Sequence, residues 1–561
     1  MIHTALWLVI LLVQTCHGFT GRGLMYPGRS DLFELSIIHL NDFHARFVQT
    51  GPSSGTCYEG NEDECVGGIA RVYTATHRMV KERPNAIFLN AGDHFQGTLW
   101  YTVHRWNVTA KFMNMLPHDV MTIGNHEFDN KIAGVVPFLK MVTSPVVVTN
   151  IDDREEPDIQ GLYTNSTIIV RNGTQIGVIG VILSTTDKIA STGKLKFLDE
   201  VETVNAEAER LKAQGVKIII VLSHCGLDVD RVMATRCPNV DVIVGGHSHT
   251  FLYSGEPPHT DTAEDEYPVV VRQDGTERTV LIVQAAAFTK YLGNLTVWFD
   301  GAGEVSDWEG NPILLDSSIE QDPDVLAALV PWQVEVDALG DAKIGDLKVY
   351  LYNNCRYGEC NVGNLITDAM VDAYVDAAEN STYWTYAAIS CTNVGGVRSS
   401  VLETNGVITY ADAVTVQPFE NTWDVAELLG SDLILALEDG VATSYSNTSF
   451  VGKGLLIWSG IKVTYNLSNE VYSRVVDVKV RCRACQIPEY QDIVEDEWYR
   501  IVVPSFLIQG GDDASVIVNN HRNHEVGTLD IDHFVNYISK ISPVTYGTDG
   551  RMIITGTWSV S

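Results

Sequence analysis

Between residue 34 and about residue 300 the chain repeats one pattern: a short apolar run, a polar turn, then a longer mixed segment. The runs are FELSIIHL, NAIFLNA, DVMTIG, VVVTN, QIGVIGVI, KIIIVLS and VDVIVGG. They are rich in Ile and Val and bounded by Gly, Asn or Asp, which predicts buried strands. Segments between them, such as Asp199 to Gln214, predict helices. Strands and helices in alternation make an α/β layered domain. QDPDVLAALVPWQVEVDALGD then predicts a linking helix within residues 321–345. Pro331 is expected to kink or restart it, because proline lacks the amide a helix interior needs. From 346 to 561 a second mixed α/β domain follows. It opens with a helix in GNLITDAMVDAYVDAAEN and continues with strands in GLLIWSGIKVTYNL and YRIVVPSFLI.

Length agrees with two large domains, since 561 residues exceed one ordinary core. A formal net charge of −33 argues against nucleic acid and anionic membrane as partners, which need a basic footprint. An anionic substrate would have to be met by local arginines or metal ions. Residues 1–18 read as a signal peptide, with an apolar run, Ala5 to Val13, too short to span a bilayer. The end GRMIITGTWSVS carries no long hydrophobic tail, which argues against a lipid-anchor signal. A secreted chain is therefore expected, and sequons at Asn107, Asn165, Asn172, Asn294, Asn380, Asn447 and Asn466 fit it. Of ten cysteines, Cys16 falls in the leader. Short spacings pair Cys57 with Cys65, Cys355 with Cys360 and Cys482 with Cys485, and more loosely Cys225 with Cys237. Cys391 is left odd. A structural disulfide is the better reading of the C-x-x-C at 482–485, because no second pair sits at zinc-finger spacing.

The chemistry lies at the ends of the first-domain runs. Asn41-Asp42-Phe43-His44 follows SIIHL, and Gly92-Asp93 follows AIFLN. Gly124-Asn125-His126-Glu127, Ser223-His224 and Gly245-Gly246-His247-Ser248-His249 end three others. In α/β sheets the carboxyl edge is where loops converge on ligands. Asp, Asn and His without cysteine suit hard or borderline divalent ions. Seven such donors are too many for one tetrahedral ion with an open position; they suit two ions about 3.5–4 Å apart sharing a carboxylate. His39, His77, His104, His118, His259 and His533 fall outside these clusters and read as structural. HRNH at 521–524 has helical metal spacing but no completing ligand, and reads as surface.

The set Asp-x-His, Gly-Asp, Gly-Asn-His-Glu, His, Gly-His-x-His is similar to that of the calcineurin-like metallophosphoesterases. The whole chain resembles the ecto-5′-nucleotidase/apyrase family, with CRYGECNVGNLITDAM, NVGGVRS, QPFENTWD and PSFLIQGGDD in order. The resemblance implies a four-layer α/β/β/α metallophosphoesterase domain over 30–320. It implies a C-terminal mixed α/β nucleotide-binding domain over 346–561, joined by the helix. It assigns Asp42, His44, Asp93 and His249 to one ion and Asp93, Asn125, His224 and His247 to the other. His126 and Asp129 resemble the catalytic dyad, with Glu127 in support. Arg356 and Arg398 resemble phosphate clamps, Phe419 and Phe506 the two faces of a base sandwich. Asn393 would read the base edge and Asp512 the ribose. Val394 and Glu420 stand where relatives often have glycine. Thr367 stands where relatives often have the cysteine that pairs with the one at 391.

The resulting expectation is a secreted nucleotide phosphohydrolase with two divalent ions; zinc suits the donors best, with Mn, Mg, Ca or Co as alternatives. The leader and absent tail resemble soluble salivary apyrases of blood-feeding arthropods, which remove extracellular ATP and ADP and so restrain platelets. The rivals are a soluble 5′-nucleotidase acting on AMP and a non-catalytic decoy that blocks a receptor.

Overall fold

The computed structural model describes residues 31–558, apart from 53–56, 58, 59, 260, 274, 277, 379–382, 403–405, 420, 445–449, 453, 509, 526 and 528. The expected leader, Glu420 and the sequons at Asn380 and Asn447 lie outside the described residues. Two sheets form the centre of the first domain. In one, Val305–Gly310, Tyr291–Phe299, Phe33–Leu40, Ile87–Asn90 and Val120–Met121 lie side by side. In the other the order is Val269–Arg272, Thr279–Val283, Val242–Val244, Ile218–His224, Thr174–Ile182 and Ser166–Arg171. The strands that carry the site pair in parallel, so their carboxyl ends share an edge in each sheet.

Side-chain alternation explains how the layers stack. Leu35, Ile37, Ile87 and Leu89 join the second sheet in one core. Their neighbours Ile38, Leu40 and Phe88 join the opposite core with helices Ile69–Glu82, Trp106–Met113 and Lys131–Met141. Beyond the second sheet, Val204, Ala208 and Leu211 of Glu200–Ala213 and Met233 of Leu227–Arg236 close the outer layer. The architecture is helix, sheet, sheet, helix.

The linking helix is Pro323–Gly340. Asp322 caps it, its side chain accepting from Asp324 N and Val325 N at 3.0 Å each. Pro331 sits inside the helix without ending it. Gly340 marks where the halves meet: a Cβ there would lie 2.8 Å from Leu99 Cδ2 of the first domain and 3.1 Å from Ala411 Cβ of the second. The second domain holds a sheet ordered Leu456–Ser459, Ile389–Asn393, Trp498–Pro504, Trp423–Leu429, Arg522–Glu525. A second sheet is ordered Tyr490–Asp492, Val475–Arg481, Ile461–Asn466, Met552–Thr555.

Several expectations are corrected. VVVTN makes isolated bridges at Val146 and Val147 rather than a strand. The helix opening the second domain stops at Asp372, and Tyr374 turns aside to stack on Tyr386, ring centroids 6.3 Å apart, and to donate its hydroxyl to Trp423 O. The stretch HRNH lies at the surface as expected, most of it in the exposed edge strand Arg522–Glu525. Disulfides join Cys57–Cys65, Cys355–Cys360 and Cys482–Cys485. The expected Cys225–Cys237 bridge is absent: both thiols are free and buried, as is Cys391. The helix Leu227–Arg236 stands between the two cysteines, and ten helical residues hold its ends about 15 Å apart. Among the sequons, Asn107, Asn165 and Asn172 are exposed. Asn294 and Asn466 are half-buried, and Asn294 donates its amide to Asn311 O at 3.2 Å.

Candidate active site

Asp42, His44, Asp93 and His249 converge so that their ligand atoms lie within 4.8 Å of one another, and Asp93, His224 and His247 do the same. Asp93 belongs to both groups. Its Oδ2 lies 3.1 Å from His224 Nε2 and 3.6 Å from His44 Nε2. Asn125 joins the second group through Oδ1, 2.8 Å from His247 Nδ1. The seven residues expected from sequence thus form one double cluster.

The backbone makes this crowding possible. Asp42, His44, Asp93, His247 and His249 all have left-handed φ, from 46° to 76°. Such conformations are held only where surrounding structure over-determines them. Gly124 is required: a Cβ would sit 2.2 Å from Asp93 Oδ1 and 2.5 Å from His224 Nε2. Glu127 fastens the turns together. Its carboxylate accepts from the amides of Asp93 (3.1 Å), His94 (2.7 Å), Phe95 (3.1 Å) and Gly124 (2.6 Å).

The donors fit metal ions. His224 Nδ1 lies 2.6 Å from Ala91 O and His44 Nδ1 3.2 Å from Phe95 O, so each ring donates there and turns its Nε2 inward. Burial opposes the charge of His224, yet Asp93, 3.1 Å from its Nε2, pulls it up to about 10. His44 Nε2 and His249 Nε2 face each other at 3.0 Å. Two inward lone pairs that close are relieved by a shared cation. Burial pushes His44, His247 and His249 down, His247 to about 3, which keeps them neutral and able to ligate. Burial opposes the charges of Asp42 and Asp93, but the imidazoles outweigh it and hold both below the ordinary carboxylate range.

His126 stands at the rim. Its Nδ1 is 2.7 Å from Asp129 Oδ2, and its backbone amide donates to Asp93 Oδ1 at 3.0 Å. Burial works against its charge, yet Asp129 and Asp93 pull it up to about 9.

The second domain reaches this cluster directly. Arg398 Nη2 lies 3.4 Å from His44 Nε2 and 3.5 Å from His249 Nε2. Its guanidinium carbon is 5.1 Å from the Phe419 ring centroid. Phe419 in turn stacks on His126, centroids 5.3 Å apart and planes 14° off parallel. Asn393 Nδ2 donates to Asp512 Oδ2 at 2.6 Å. Phe506 packs over Gly511, where a Cβ would sit 2.4 Å from its ring. Arg356 is exposed, close enough to Asp512 and Arg398 for its charge to act on both. Sequence reasoning missed Phe288 and Arg46. Phe288 lies 5.5 Å from His44 and 5.2 Å from His249, ring to ring, and Arg46 sits over it at 4.6 Å. An aromatic in AAAFTK gives no signal of such a place.

Fold and cluster define a metallophosphoesterase with a second α/β domain. Residues 35–251 match the calcineurin-like phosphoesterase family and 343–519 the 5′-nucleotidase C-terminal domain. An apyrase of Tabanus yao is 45% identical over 526 residues, covering 93% of this chain and 94% of the relative. The 5′-nucleotidase of Rattus norvegicus is 39% identical over 528 residues, covering 93% and 90%. The crystal structure of a 5′-nucleotidase precursor from Thermus thermophilus superposes with a TM-score of 0.82 at 34% identity, covering 93% of this chain and 99% of that one. The chain belongs to the 5′-nucleotidase/apyrase family and is a metal-dependent nucleotide phosphohydrolase.

Proposed function

We propose that the protein is a secreted apyrase that removes the terminal phosphate of extracellular ATP and ADP, acts poorly on AMP, and thereby restrains platelet aggregation in a host. The likeness to the Tabanus yao apyrase carries this reading. Residues 30–320 would hold the ions, 321–345 join the halves, and 346–561 grip the nucleotide. Two divalent ions, zinc by the donor set, would supply charge against the phosphoryl oxygens and lower the pKa of water. Asp42, His44, Asp93 and His249 would hold one; Asp93, Asn125, His224 and His247 the other. Asp129 orients His126, which carries its proton toward the phosphoryl or leaving oxygen. Arg398 and Arg356 take phosphate oxygens, for which a planar guanidinium is suited. Phe419 and Phe506 receive the base, Asn393 its edge and Asp512 the ribose. Val394 opens the Val394–Gly396 turn beside Asn393 and limits how deep a nucleoside sits, which favours the longer phosphate chains of ADP and ATP. The retained ligand set disfavours a decoy.

The rat relative supports the alternative, a 5′-nucleotidase acting on AMP. Phosphate release from ATP, ADP and AMP, each with and without chelator, decides. Faster release from AMP than from ADP replaces the apyrase reading, and release insensitive to chelator ends the metal reading.

A further inference from the structure

Phe288 lies in a turn whose neighbours Ala286 and Thr289 share its left-handed backbone, with φ of 52°, 62° and, at Phe288, 63°. Its amide donates to Asp42 O at 2.8 Å, so a metal-ligating residue fixes the turn. Two guanidinium groups lie against its ring. Arg46, buried in the first domain, sits 4.6 Å from the centroid. Arg46 donates to Gly97 O, while its Nε and Nη2 have no hydrogen-bond partner. Arg398, from the second domain, sits 5.5 Å from the same centroid.

Arg398 has little else to locate it. Nη1 donates to Gly395 O at 3.2 Å, and Nη2 approaches the imidazoles of His44 and His249 at 3.4 and 3.5 Å. Among the described residues no carboxylate lies within ion-pair distance of it. A half-buried guanidinium with no carboxylate at ion-pair distance is held largely by what it packs on, and the negative faces of aromatic rings attract it. Phe419 supplies one ring from its own domain and Phe288 the other from across the boundary.

We propose that Phe288 is a positioning residue, whose ring fixes the Arg398 guanidinium against the His44–His249 side of the cluster, ready to take a phosphoryl oxygen. The proposal rests on the reading of Arg398 as a phosphate grip. An aliphatic side chain in its place fills space but offers no negative face, so Arg398 should wander; tyrosine keeps the face.

The test is calorimetric binding of inorganic phosphate to metal-loaded protein, with metal content measured in parallel. Phe288→Leu should weaken phosphate binding by roughly 3- to 30-fold, the range of a cation on a desolvated ring. Metal content should be unchanged, and KM for ADP should rise more than kcat falls. Phe288→Tyr should restore binding, and Phe288→Met replaces the leucine variant if that one does not fold. In an Arg398→Ala background Phe288→Leu should add almost nothing, because the two act as one unit. Loss of metal in Phe288→Leu, or an equal further loss in the Arg398→Ala background, would mean that Phe288 only walls the ligands, and the proposal falls. If Arg398→Ala alone leaves phosphate binding unchanged, the grip reading itself fails and takes the proposal with it.

Discussion

Glu127 and Asp93 are tied through the main chain: the Glu127 carboxylate accepts the Asp93 amide at 3.1 Å, while the Asp93 carboxylate reaches both halves of the cluster. The same Glu127 carboxylate takes three more amides, so it sets the positions of two ligand-bearing turns at once. Glu127→Gln would leave one acceptor oxygen and turn an amide toward those donors. The expected result is metal affinity lower by about 10–100-fold, the usual cost of losing a group that orients ligands. Metal titration followed by bound-metal analysis measures it; affinity within twofold of the parent would mean that the turns hold themselves.

Asp93→Ala should abolish phosphate release from every nucleotide and reduce bound metal to one equivalent or fewer. A variant that keeps two tightly bound ions would contradict the shared-ligand assignment.

His126→Ala should leave bound metal near normal and cut kcat by about 10²–10⁴-fold, the range for one positioned acid–base group. Parallel loss of metal and activity would make His126 a ligand instead.

Thiol chemistry offers a check away from the site. Among the described residues, alkylation under denaturing, non-reducing conditions should label three cysteines, Cys225, Cys237 and Cys391, and none of these before denaturation. A peptide linking Cys225 to Cys237 would contradict the fold around the helix Leu227–Arg236.

Asp230 gives a pH dependence. Ser223 Oγ donates to its Oδ1 at 2.5 Å, its Oδ2 is buried without a partner, and burial pushes the carboxyl up to about 7. The folded state therefore holds a proton that the unfolded chain releases near pH 4. Its contribution is full below about pH 4 and is lost as pH rises through about 7, up to roughly 4 kcal/mol. Between pH 5 and 8 the wild-type Tm should fall relative to that of Asp230→Asn. Parallel Tm curves would show that Asp230 is ionised in the fold.

The metal cluster was legible because its residues are polar letters at the ends of apolar runs, where packing alone gives no reason for them. Asp42, Asp93 and His224 each followed such a run and each arrived at the cluster. Phe288 and Arg46 were not legible: a ring inside AAAFTK and an arginine two residues past a ligand look like core and surface. Cys225 and Cys237 were misread because twelve residues of spacing says nothing of the helix that spans it. VVVTN has the letters of a strand, but which neighbour it pairs with is decided by the sheet, and it finds bridges only at Val146 and Val147.

The left-handed turns at Asp42, His44, Asp93, His247 and His249 bear on how this centre can change. Asp, Asn and His are the side chains other than glycine that enter this backbone region most readily. They are also the donors that divalent ions of intermediate hardness prefer. Two filters, one of main-chain geometry and one of coordination chemistry, therefore admit nearly the same letters at these five positions. A cysteine introduced at His44 or His249 to attract a softer ion would satisfy the metal and strain the turn. The loops are thus a narrow gate for evolution and for redesign: the ion can be exchanged among hard and borderline dications far more readily than the ligands can be exchanged for others.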